Sequence, residues 1–99
     1  MKMIEHNETE ITGVWLMSQG HMIANKNCQR IYDLIHSHLV EVSRDSSGWE
    51  ALYRDPNDGR FWEITYPHSE MHGGGPPQLR YLLVDEARRK YGNVVTKQG

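Results

Sequence analysis

The chain has one cysteine, Cys28, among 99 residues, which excludes an internal disulfide and any zinc site built on several thiolates. Long apolar runs are missing too. Residues 1–13 carry Glu5, Glu8 and Glu10 without a hydrophobic stretch, so neither a secretory signal nor a membrane anchor is expected, and the cytoplasm is the expected location. Neither sign of charge is in excess. Eleven basic against 13 acidic residues leave a net charge of -2, far from the basic footprint of a nucleic-acid binder. No Gly-x-Ser-x-Gly elbow occurs, and no Gly-Lys-Ser/Thr follows the triple glycine at 73–75, which argues against a hydrolase nucleophile and a phosphate loop. Pro76 and Pro77 also remove two N–H donors that such a loop would use. What the chain does have is three Trp, five Tyr and one Phe within a 37% hydrophobic composition. That suffices for one modest core in a single domain spanning 1–99, with the core at about 12–92 and the ends 1–9 and 93–99 outside it.

Apolar periodicity orders the elements. Trp15, Leu16 and Met17, then Gln19 and Gly20, then Met22 and Ile23 read as two short strands around a tight turn. Asn25 or Asn27 can cap a helix whose apolar stripe is Cys28, Ile31, Leu34 and Ile35, ending with His38. From Leu39 the pattern changes to alternation, with Val40 and Val42 on one side. Trp49, Ala51 and Tyr53 form the inward face of a further strand, and Pro56, Asn57, Asp58 and Gly59 supply a turn. The returning strand places Trp62, Ile64 and Tyr66 inward and Phe61, Glu63 and Thr65 outward. After the glycine–proline run, Leu79, Tyr81 and Leu83 alternate as one more strand, and Asp85 caps a short helix that Gly92 ends. The expected fold is α+β: a small antiparallel sheet of about four to six strands on one main amphipathic helix, with a short C-terminal helix.

Few residues carry chemistry. His68, Glu70 and His72 alternate, so an extended chain would aim two imidazoles and a carboxylate to one side, as a metal site with open positions requires. Neither a helical His-Glu-x-x-His nor a cysteine pair accompanies them, and polar residues at the rim of a glycine loop are the simpler reading. No cofactor and no metal is expected. Glu63 and Glu70 as an acid–base pair lack a cleft to join them, and strands of a small sheet commonly carry exposed Glu. Trp15, Trp49 and Trp62 are core candidates, and any one left exposed would serve as an interface anchor.

The most specific string begins Trp49, Leu52, Tyr53, Arg54, Asp55, Pro56, Asp58, Gly59, Arg60, Trp62 and Glu63. It continues with Tyr66, Pro67, Ser69, Glu70, His72, Gly73, Gly74, Gly75, Pro76 and Pro77, and closes with Glu86, Ala87, Arg88, Lys90 and Tyr91. This segment resembles the immunity protein 27 family of bacterial polymorphic toxin systems, and residues 12–35 resemble it more loosely. The resemblance implies an α+β protein without catalysis of its own, whose partner is the C-terminal domain of a cognate toxin. A toxin-binding surface is expected at Asp55, Asp58, Arg60, Glu63, Tyr66, His68, Glu70, His72 and Gly74, on loops without an evident packing duty. Arg60 and Glu63 could equally be spent on internal cross-strand pairing. Two other classes fit the residues: a generic interaction or homo-oligomeric module built on an exposed sheet edge, and a small metal-dependent enzyme using His68, Glu70 and His72.

Overall fold

A computed structural model describes residues 2–69, 75–92 and 94–95. In chain order the elements are β1 (Glu10–Thr12), β2 (Trp15–Ser18), β3 (His21–Ala24), α1 (Lys26–Ser37), β4 (Val40–Arg44), β5 (Ala51–Arg54), β6 (Phe61–Thr65), β7 (Gln78–Leu82) and α2 (Val84–Tyr91). Five strands make an antiparallel sheet in the order β1-β7-β6-β5-β4, and β2 and β3 make a separate hairpin. The α+β expectation holds, with a main helix on one side and a short C-terminal helix on the other.

The hairpin and α1 follow from local rules. Gln19 and Gly20 take φ of 49° and 80°, the positive pair that lets a two-residue turn match the strand twist. Asn25 is the cap of α1: its Oδ1 accepts from the Cys28 N–H at 3.1 Å and from the Val14 N–H at 3.2 Å. One amide thus starts the helix and fastens the base of the hairpin. Cys28, Ile31 and Leu34 are fully buried along one stripe, as their three-residue spacing requires.

Both faces of the large sheet are covered, which the alternation did not anticipate. Ala51, Tyr53, Trp62, Ile64 and Leu79 meet Ile31 and Leu34 of α1, while Leu52, Phe61 and Leu82 on the opposite face meet Ala87 of α2 and Val95. Phe61 and Glu63, expected to point outward, are 4% and 1% exposed. Leu83, expected inside, is 57% exposed, because the chain leaves β7 at Leu82 and Leu83 becomes the cap position of α2. Glu86, and not Asp85, satisfies that end by accepting from the Leu83 N–H at 2.9 Å.

The beginning of the chain is fastened as well. Ile4 packs on the α1-side core. Arg30 of α1 grips both oxygens of Glu8, at 2.8 and 2.6 Å, and donates to the carbonyls of Lys2 and Met3. Residues 2–9 therefore belong to the packed structure, and so does Val95, at 1% exposure. At Gly13 the backbone passes so closely that an added Cβ would lie 2.6 Å from Cys28 Sγ and 2.6 Å from the Pro77 carbonyl.

Candidate functional site

The residues expected to form one binding surface lie at two ends of the sheet. Arg60 enters β6 and Tyr66 leaves it, six residue steps apart, or about 20 Å at strand rise. Asp55, Asp58 and Arg60 share the first end. Asp55 is 1% exposed: its Oδ1 lies 2.9 Å from His38 Nε2 at the end of α1 and accepts from the Asn57 N–H at 2.8 Å. Arg60 donates to Asp58 at 2.8 Å and to the carbonyls of Glu8 and Glu5 at 3.0 Å each. Its guanidinium also lies 5.1 Å from the Trp62 ring centroid and 5.6 Å from that of Tyr81. Burial works against ionisation of Asp58, but bonds from the backbone and side chain of Arg60 hold its carboxyl below the usual range. This end is spent on internal structure.

Glu63 is spent likewise, on the opposite face from α1. One oxygen accepts from Arg80 Nε at 3.3 Å; the other takes Lys90 Nζ at 2.6 Å and the Tyr91 hydroxyl at 2.6 Å. Lys90 also reaches Glu50. Burial works against the ammonium of Lys90, yet Glu50 and Glu63 together raise its pKa. Burial, and then the bond to Glu63, push the Tyr91 hydroxyl far up. Glu63 thus anchors α2, with no outward surface of its own.

The second end is different. Trp49 continues the register of β5 past Ala51, and Tyr66 continues β6 past Thr65. The two rings meet edge to face at 5.6 Å and 82°. Trp49 is 58% exposed, whereas Trp62 is fully buried and Trp15 is partly covered. Tyr66 also lies beside Tyr32 of α1; burial first, and the neighbouring Tyr66 hydroxyl second, push the Tyr32 hydroxyl up to about 12. Tyr32 stacks on His36 at 6.3 Å. The result is a row of four rings running from the sheet end onto the helix, with an exposed tryptophan at its tip.

Beside it is an open groove of about 240 Å³ between Trp15, Pro67, His68, Pro76 and Pro77. Gly75, at φ 78°, runs directly against the backbone carbonyl of His68, with no room for a side chain. A close backbone approach thus requires glycine at position 75. Glu70, His72 and Gly74 lie outside the described residues. Among the described residues no group of three or more His, Cys, Asp or Glu could hold a metal ion, and no helix is long and apolar enough to cross a membrane.

Two features escaped the sequence reading. Trp49 is one of three equivalent tryptophans in the sequence, and only its place two residues before the start of β5 exposes it. The hairpin β2–β3 was read as part of the fold, yet Leu16, Met17 and Ile23 are 52%, 68% and 50% exposed. Its signal was present: residues 13–25 contain no Asp, Glu, Lys or Arg, in a chain that is 24% charged.

No curated protein matches the chain, and no solved structure does. The profile of the family described as immunity protein 27 matches residues 17–83, a span that takes in the hairpin from Met17 on, α1, the exposed Trp49 and the sheet from β4 to β7. That span is 67 of the 99 residues, and the chain belongs to the immunity protein 27 family.

Proposed function

We propose that this chain is an immunity protein that binds the C-terminal domain of a cognate toxin and neutralises it by occlusion. It acts in the cytoplasm and performs no chemistry of its own. The observation that carries the reading is the family match over residues 17–83.

The geometry supports binding by a surface. The accessible area is 6266 Å², so a standard interface of roughly 800 Å² per partner takes about one eighth of it and needs no deep pocket. Affinity in such an interface comes from a few aromatic anchors. Trp49, backed by Tyr66 and Tyr32, is such an anchor: the ring is exposed and its orientation is set by packing. Asp55, Asp58, Arg60 and Glu63 contribute indirectly, by holding the turn, the chain start and α2 in place.

The test is co-expression of the chain with the toxin domain encoded beside it. Growth rescue together with a co-purifying complex is expected; toxicity unchanged and no complex would overturn the reading. Within a confirmed complex, Trp49→Ala is expected to weaken binding by about 30-fold, roughly 2 kcal/mol, while leaving thermal stability intact.

A further inference from the structure

The molecule has four strand edges without a neighbouring strand among the described residues, and it treats them differently. At one margin of the large sheet, β4 carries Glu41 and Arg44, paired at 2.8 Å, and a register break between Glu41 and Ser43. At the other margin β1 is only three residues long and carries Glu10, which bonds Thr12 and Gln78. Charge, bulges and shortness are the devices by which natural sheets resist further pairing. The hairpin has neither charge nor bulge, and each of its strands is one residue longer than β1. Its strands hold no Asp, Glu, Lys or Arg, and Leu16, Met17 and Ile23 stand half exposed or more. A two-stranded ribbon of four-residue strands is also below the three strands that make a sheet stable in water.

We infer that β2 pairs with β2 of a second copy of this chain, so that two hairpins join into one four-stranded antiparallel sheet. The chain itself is the partner that these observations specify. A two-fold axis through such an edge sets Leu16 opposite Leu16 of the second copy and Trp15 opposite its Met17. Both contacts are apolar, the second an aromatic ring against a thioether, and no like charges meet. β3 is the poorer edge, because His21 sits in it. Area sets the strength. Two strands of four residues present a face of only about 13 by 10 Å, well below the roughly 800 Å² a side of a standard interface. The pair is therefore weak and concentration-dependent. This inference does not rest on the toxin reading.

Sedimentation equilibrium of the whole chain from about 1 to about 300 μM tests it, that window bracketing the affinities expected of small interfaces. The expected result is a monomer at the low end and a dimer at the high end. Leu16→Lys, at a site 52% exposed in the single chain, is expected to stay monomeric throughout with an unchanged circular dichroism spectrum. Leu16→Glu should do the same. An equimolar mixture of the two should dimerise, because the charges across the axis are then opposite. Val40→Lys, on the guarded edge, should dimerise like the parent chain. A parent chain monomeric at 300 μM would refute the pairing. So would lysine and glutamate variants that dimerise separately, or a mixture that does not.

Discussion

Removal of the Glu63 charge tests whether α2 is held as described. Glu63→Gln keeps the shape but removes the charge that pairs with Lys90 and Arg80 and turns one of the two acceptor oxygens into a donor. Arg80 is 50% exposed and Lys90 39% exposed at their side chains, so each cation can turn to water; the loss is then about 1 kcal/mol for Lys90 and near zero for Arg80. The Tyr91 bond at 2.6 Å loses its charge assistance, roughly another 1 kcal/mol. An amide left 1% exposed with its N–H₂ near an ammonium adds a little more. The expected total is about 2–3 kcal/mol, or roughly 10–15 °C in a chain of this size. Glu63→Leu removes the acceptor altogether, leaving the Tyr91 hydroxyl and Lys90 without it, and is expected to cost at least as much as the glutamine variant. Urea unfolding followed by far-ultraviolet circular dichroism measures both, and a cycle with Tyr91→Phe should return a coupling of about 1 kcal/mol. A glutamine variant within 0.5 kcal/mol of the parent would show that this network does not hold α2, and the assignment of Glu63 as its anchor would fall.

Three further outcomes are expected. The bond from Arg30 holds Glu8 at about 2, below the ordinary 4.5. The stabilisation is therefore complete above pH 4.5 and is lost as pH falls towards 2, by up to about 3 kcal/mol; Glu8→Gln should flatten acid-unfolding curves in that window. Gly13→Ala would drive a methyl into Cys28 Sγ and the Pro77 carbonyl, costing about 1–3 kcal/mol, read as a lowered melting temperature. Asn25→Ala removes the acceptor for both Cys28 and Val14; a loss of about 1–2 kcal/mol should come with faster amide exchange at Val14 than at Leu34.

The parts legible in the sequence are those that local chemistry decides. The Gln19–Gly20 turn, the cap and stripe of α1, and the turn between β5 and β6 each depend on residues within a few positions of one another. β1 was not legible. Glu10, Ile11 and Thr12 contain one apolar residue, and only β7, far along the chain, makes a strand of them. The second buried face was hidden for a related reason. Glu63 between Phe61 and Thr65 reads as solvent-facing, and the groups that satisfy it, Arg80, Lys90 and Tyr91, come from β7 and α2. At the candidate site, His68 was legible as a loop residue and Tyr66 as the inward end of a strand, where it lies in the aromatic row. Asp55 was legible as special but not as internal, and for Arg60 an internal role was open but not its actual partners, because His38, Glu5 and Glu8 are distant in the chain.

The pairing of β1 with β7 sets Glu10 opposite Arg80 and Ile11 opposite Leu79. During translation at 5–20 residues per second, Ile11 is synthesised roughly 3–14 s before Leu79, its partner in β7. β1 is thus made well before it can be placed, and this sheet closes only once β7 has been made. A nascent chain stalled before residue 78 has the hairpin and α1 but no closed sheet. A copy truncated before β7 should therefore be cleared as unfolded protein instead of persisting as a partial binder.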